Sequence, residues 1–311
     1  MGSGAHAADA VVAGDGSGEF RTIRAAIDAA PQITSDTGRR WTILVKAGTY
    51  REIVYVQREK RFIRLTGEDA ARTTLTFDLF NDYIGPDGKI IATFRTPTLI
   101  VDADDFTVED LTIENSAGPK GQALAIRVDG DRVAFRRCRF LGWQDTILAN
   151  RGRHYFEDCH IAGAVDFIFG GATAWFERCE IHVAGDGYIT AASTPDFQRH
   201  GFVFSHCRIT AADPRVRTYL GRPWRDFAKT IFLHTEMTAA VRPAGWDNWN
   251  KPQAEKAAFY AEYGSTGPGA AAAARVPWAR RLTEAEAARF TVATVLGGDD
   301  GWNPAAAVRA K

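Results

Sequence analysis

Four short segments of this chain are copies of one another: F-R-R-C-R-F at 135–140, F-E-D-C-H-I at 156–161, F-E-R-C-E-I at 176–181 and F-S-H-C-R-I at 204–209. A fifth, F-T-V-E-D-L-T-I at 106–113, carries Leu111 in the cysteine position. In each, apolar residues alternate with charged ones and Gly, Asp or Asn bound the run, which predicts a short strand with one buried face. Cys138, Cys159, Cys179 and Cys207 recur after 21, 20 and 28 residues, a period that fits the coils of a parallel β-helix with loops of unequal length. Leucine-rich repeats have a similar period but need a dense leucine pattern that this chain lacks. An all-β, single-domain parallel β-helix is the expectation, in preference to a sandwich or a propeller.

Equivalent residues of successive coils stack at the inter-strand spacing of about 4.8 Å. The four cysteines therefore form one inward ladder of small apolar fillers. The same spacing leaves a Cys159–Cys179 or a Cys179–Cys207 disulfide geometrically open. An open coil would expose its core, so both ends need capping helices. T-I-R-A-A-I-D-A-A at 22–30, stopping at Pro31, suits the first, and the capping box T-E-A-E at 283–286 opens a helix near the other end. The glycines of 264–269 and the alanines of 270–274 read as a flexible connection between. Residues 11–311 are assigned to the β-helix domain. Residues 1–10, which begin M-G-S-G and have no apolar signal core, are assigned to a tag or residual leader outside the ordered fold.

Lysine plus arginine and aspartate plus glutamate both number 38, so the balance offers no basic footprint for nucleic acid. No apolar run approaches the roughly 18 residues that cross a bilayer.

Asp145 and Asp166 each lie seven residues past a ladder cysteine, Cys138 and Cys159, so register brings them together on one face, about one strand spacing apart. Gln144 adjoins Asp145, and Gln122 lies 23 residues before it, about one coil back. Two carboxylates this close share a proton, one acidic and one anionic, as covalent ester hydrolysis requires. Polar ladders also arise for purely structural reasons: Asp186 has the same offset from Cys179 and no other functional signal.

Five ordered motifs add to this reading: G-T-Y-R-E at 48–52, Q-A-L-A-I at 122–126, Q-D-T at 144–146, D-F-I-F-G at 166–170 and L-G-R-P-W at 220–224. With these the chain resembles the pectin methylesterase family from D-G-S-G-E-F at 15–20 to G-W-N-P at 301–304; the departure is Ile126, where the family usually has Leu. The resemblance implies a right-handed β-helix that demethylates methyl-esterified polygalacturonate, with Asp166 as nucleophile and Asp145 as general acid and then base. It implies oxyanion-stabilising amides at Gln122 and Gln144, and Arg222 as the residue that orients nucleophile and substrate. Thr93, Phe167, Phe169 and Trp224 are the expected sugar contacts, with Gln122 and Arg222 shared between catalysis and binding. Tyr50 and Glu52 read as structural, and Trp246 and Trp249 are left unassigned. No metal or other cofactor is called for. The implied partner is pectin, met as a monomer outside the cell or in the periplasm; an inhibitor protein is not predicted.

The alternatives lack their signatures. No serine lies in a G-x-S-x-G elbow, and the seven histidines show no H-E-x-x-H spacing. The G-H-G and R-I-K motifs of polygalacturonases are missing, and the cleft lacks the clustered carboxylates of a Ca²⁺-dependent lyase. A non-catalytic carbohydrate-binding β-helix would not need both aspartates and both glutamines.

Overall fold

The computed structural model describes residues 8–35 and 37–306. Its strands pair in parallel throughout and wind a right-handed β-helix, as the repeat predicts. One face is an eleven-stranded sheet running from Ala10–Val12 to Arg280–Arg281, and it includes Val133–Arg136, Arg153–Glu157, Thr173–Glu177, Phe202–Ser205 and Lys229–Leu233. The other two faces form one thirteen-stranded sheet, because the long strands His160–Gly170 and Glu180–Ala192 bend around the corner and belong to both.

The repeated phenylalanine sets the register. Phe135, Phe156, Phe176, Phe204 and Phe232 are direct cross-strand neighbours, with ring centroids 4.7, 4.6, 4.4 and 4.5 Å apart and planes within 17°. All five are fully buried, and each ring adds stacking to its burial, so losing one would cost about 3–5 kcal/mol. The four cysteines are free and buried, filling the position after the corner.

That corner explains the charged residue before each cysteine. Asp110, Arg137, Asp158, Arg178, His206 and His234 all take left-handed φ, between 49° and 53°. The conformation costs a non-glycine residue on the order of 1 kcal/mol, and the coil offsets it by satisfying every backbone donor. The N–H of Arg137 bonds Glu157 O at 2.9 Å, that of Asp158 bonds Glu177 O at 3.0 Å, and that of Arg178 bonds Ser205 O at 2.9 Å. The side chains also pair outside the corner: Arg137 grips Asp110 with two bonds of 2.8 Å, and Arg178 grips Asp158 at 2.9 and 3.0 Å.

The N-terminal end is closed as expected, by the helix Ile23–Ala29, whose Ile23, Ala26 and Ile27 seal the core. Glu52 fixes it: its carboxylate accepts from the N–H groups of Ile23 and Arg24 at 2.7 and 3.0 Å, so this part of G-T-Y-R-E is structural. The domain boundary moves. Ala10 is a buried strand residue paired with Ile43, and Asp9 N–H bonds Thr42 O at 2.8 Å, so these two residues belong to the fold and not to a leader. Residues 1–7 and 307–311 lie outside the described residues.

The C-terminal helices do not plug the open end. The capping box at Thr283 and Glu286 forms, but Glu284–Ala287 and Val292–Leu296 lie across the outside of the eleven-stranded sheet. The reason is that this outer face is itself apolar, with Tyr155, Trp175, Val203 and Ile231 needing cover. The open end is closed instead by the aromatic pair Trp246 and Tyr260, centroids 4.3 Å apart, with Trp278 against Tyr260. The 264–274 connection is held by Arg275, which bonds Gly269 O at 2.7 Å and pairs with Glu262 at 2.8 and 3.0 Å.

Candidate active site

The candidate site forms on the face shared by Ile126–Val128, Ile147–Ala149, the second half of His160–Gly170 and Thr218–Gly221. Gln122 bridges Gln144, and Gln144 bridges Val165, so Asp145 and Asp166 occupy matching places on adjacent coils. Each has left-handed φ, 65° and 50°, which breaks the strand alternation and turns the carboxylate out while its successor continues the coil wall. The preceding corner has little room. A Cβ on Gly163 would lie 2.3 Å from that of Phe167 in the same strand and 2.9 Å from Thr146 Oγ1 on the coil before, so only glycine lets the strand bend there.

The two aspartates are chemically different. Arg222 holds Asp166 bidentately, Nε to Oδ1 at 2.9 Å and Nη2 to Oδ2 at 2.6 Å. Burial, with a smaller push from Asp247, raises the Asp166 pKa above the usual carboxylate value, and the hydrogen bonds and charge of Arg222 pull against that rise. Asp145 has no such partner within ion-pair distance among the described residues. Burial, with the charge of Asp166 added, pushes its carboxyl up to about 8 against the weaker pull of Arg222. Both carboxyls are thus pushed up by burial, but only Asp166 has hydrogen bonds from a cation drawing it back toward the anion.

Arg222 is clamped between aromatic faces, its guanidinium carbon 3.8 Å from the Tyr188 ring centroid and 3.7 Å from that of Trp249. Tyr188 in turn stacks on Tyr219, centroids 5.4 Å apart. The loop carrying Trp249 is tied back to the strand below Arg222, because Asp247 N–H bonds Gly221 O at 3.1 Å and Asp247 Oδ1 accepts from Trp249 N–H at 2.7 Å.

Thr93 Oγ1 donates to Gln122 Oε1 at 2.5 Å. With its carbonyl oxygen occupied, Gln122 presents its amide N–H₂ as a donor. Thr93 therefore acts on Gln122, in addition to any sugar contact.

Not every expected sugar contact faces the site. Phe167 is wholly inside the coil core, because strand alternation resumes after Asp166 and points the next side chain inward. Phe169 is also buried, in a small cluster with Leu124, Leu148 and Ala191, and it supports the half-buried Trp224 from below at 5.7 Å. Trp224 and Phe94, centroids 6.5 Å apart, form the accessible aromatic rim. Asp186 is not a third member of the dyad; the Glu180–Ala192 strand is bulged against its neighbour, so Tyr188 pairs with Val165 while exposed Asp186 accepts from Arg217 N–H at 2.8 Å. Sequence reasoning missed Tyr188 for that reason, and it left Trp249 unassigned because nothing local marks it. Trp246, beside it in sequence, is core. Among the described residues, no group of three or more His, Cys, Asp or Glu is arranged to hold a metal ion.

The pectinesterase family model matches residues 9–299. Pectinesterase 31 of Arabidopsis thaliana is 42% identical over 285 residues, which are 90% of this chain and 89% of that protein. A pectin methylesterase from carrot has a similar structure, with a TM-score of 0.88 at 35% identity over 96% of both chains. So does a pectin methylesterase in complex with hexasaccharide VII, with a TM-score of 0.81 at 31% identity over 96% of this chain and 99% of that one.

Proposed function

This chain belongs to the pectinesterase family of carboxylic ester hydrolases, and we propose that it demethylates methyl-esterified polygalacturonate by a covalent mechanism that divides the work between Asp166 and Asp145. The observation that carries the division is the asymmetry of the dyad: Arg222 pairs with Asp166 alone, and Asp145 is pushed up to about 8.

Asp166, kept anionic and oriented by the guanidinium, attacks the carboxymethyl carbon. Negative charge gathers on the former carbonyl oxygen, where the amide N–H groups of Gln122 and Gln144 stabilise it. The C–O bond to methoxide breaks as Asp145 delivers its proton, releasing methanol and leaving a mixed anhydride on Asp166. Asp145, now a carboxylate, takes a proton from water as the hydroxide attacks the anhydride, restoring both aspartates and freeing galacturonic acid, which gives its proton to solvent to become the carboxylate. Trp224 and Phe94 offer aromatic faces to the sugar rings on the rim. A related enzyme has been solved with a hexasaccharide, which supports a groove long enough for several sugars. The reading carries with it an exported, monomeric protein acting on cell-wall pectin.

The test is interception of the anhydride. During turnover of methylated pectin at neutral pH, added hydroxylamine should divert part of the product to galacturonohydroxamate without raising the rate of methanol release. Hydroxamate formed only in proportion to an increased methanol rate, as in direct aminolysis, would sink the covalent step.

A further inference from the structure

Around the corner from the dyad lies a second groove, of about 660 Å³, within the range of ordinary ligand sites. Arg199, Lys229, Arg280, Arg281 and Arg289 line it, drawn from four separate segments of a chain whose net charge is zero. None of the five is ion-paired with a carboxylate among the described residues, although most arginines elsewhere on the coil are. The one acid lining the groove, Glu286, is turned into its own capping box, accepting from Thr283 N–H at 2.8 Å and Thr283 Oγ1 at 2.9 Å. His200 also lines it, but burial and the charges of Arg199 and Lys229 hold its pKa down to about 4, so the positive charge belongs to the arginines and lysine. Phe259 and Phe290 supply aromatic surface between the cations, Phe259 beneath Arg280 at 4.9 Å.

Two loops join this groove to the dyad's rim. Residues 193–201 lead from Ala192, whose carbonyl holds Trp224 N–H at 3.0 Å, to Arg199 and Gly201; residues 222–228 lead from Arg222 to Lys229. Phe197, 87% exposed, and Phe227, 45% exposed, stand on these loops.

We propose that this cation-lined groove is a non-catalytic binding site for de-esterified galacturonan, the polyanionic product of the enzyme's own reaction. The inference rests on the proposed reaction, which turns a neutral polymer into one with a carboxylate on each processed sugar. Unpaired arginines match such carboxylates bidentately, and phenylalanines match the apolar faces of the rings between them. Held there, the demethylated stretch of a chain would keep its esterified remainder near the dyad, so the gain is in effective concentration for long substrates only.

The test compares wild type with the variant Arg199→Gln/Arg281→Gln/Arg289→Gln, all three positions being exposed. Binding of fully de-esterified galacturonan of about twenty sugars should weaken at least about tenfold, on the scale of three rim charges. KM for long, partly demethylated pectin should rise alongside, while turnover of a methylated hexasaccharide stays unchanged. The matching Arg→Lys triple variant, which keeps the charge but loses the paired donors, should lose affinity by less than the glutamine triple, and if the glutamine triple fails to fold, Arg281→Gln alone should lose about twofold. Unchanged galacturonan affinity in these variants would overturn the proposal. So would equal competition by chondroitin sulfate of the same charge, which would mark a generic polyanion surface. Failure of the wild type to release methanol from the hexasaccharide would instead refute the reaction and leave the binding result to stand separately.

Discussion

Arg222 holds both oxygens of Asp166, at 2.9 and 2.6 Å, and has no ion-pair contact with Asp145 on the adjacent coil. Two chemically identical side chains, stacked by the same repeat, are thereby made into different reagents. Burial acts on both; the guanidinium is in contact with one. A single arginine, two coils beyond Asp166, therefore sets the two carboxylates apart by drawing only Asp166 back toward the anion.

Arg222→Lys should lower kcat at least about tenfold with little loss of folding stability. An ammonium cannot make the two parallel bonds to Asp166, nor fill the slot between Tyr188 and Trp249 as a planar group does. The measurement is methanol release at saturating pectin beside a melting curve; near-normal turnover would mean that Arg222 does not orient the nucleophile.

Thr93→Val should lower kcat by about tenfold and change KM less than twofold. The variant keeps the shape but removes the hydroxyl that fixes Gln122 Oε1, so the amide is free to turn its donor away from the oxyanion. A rise in KM with kcat intact would instead make Thr93 a substrate contact only.

The sequence revealed the coil because its period is enforced by burial: the phenylalanine and cysteine of successive turns face inward, and where they are replaced, by Val108 and Leu111, the substitute is again a buried apolar residue. It revealed the dyad for the same reason, since Asp145 and Asp166 ride on two coils of nearly equal length. Counting fails where a strand bulges. The extra residues in Glu180–Ala192 place Tyr188 beside Val165 and expose Asp186, although Asp186 keeps the cysteine offset. Phe167 turns inward against expectation because motif membership does not say which way a side chain points, and the left-handed turn at Asp166 is not visible in residue types. Trp249 reaches Arg222 through a loop fixed only by the tertiary fold.

Glu52→Ala should destabilise the protein by about 1–2 kcal/mol, lowering the melting midpoint by a few degrees, and leave kcat unchanged. The carboxylate caps the N-terminal helix through two backbone bonds and lies in the end closure, away from the dyad. A change in kcat without a change in melting would contradict the structural role of this motif residue.

The dyad itself gives the strongest prediction. Asp166→Asn and Asp145→Asn should each lower kcat by at least about 10²-fold, with Asp166→Asn the worse, and the double variant should fall well short of the product of the two because both serve one reaction sequence. In the wild type, methanol release needs Asp145 protonated, so with its pKa raised to about 8, kcat/KM should decline as pH rises past about 8. Stability follows the same group with a definite sign. The folded pKa lies above the unfolded value of about 3.9, so between these limits the native state binds more protons than the unfolded one. The contribution of Asp145 is fully present below about pH 4 and is lost progressively up to about pH 8. The amide introduced by Asp145→Asn cannot ionise, so this variant should show little difference in melting midpoint from wild type at pH 4 and an increasingly higher midpoint as pH approaches 8. Melting curves of the two proteins at pH 4, 6 and 8, run beside methanol assays, test both halves: a gap that stays constant with pH would mean that Asp145 is not held protonated by its surroundings, and a folded variant with more than about a tenth of wild-type kcat would mean that it is not the proton donor.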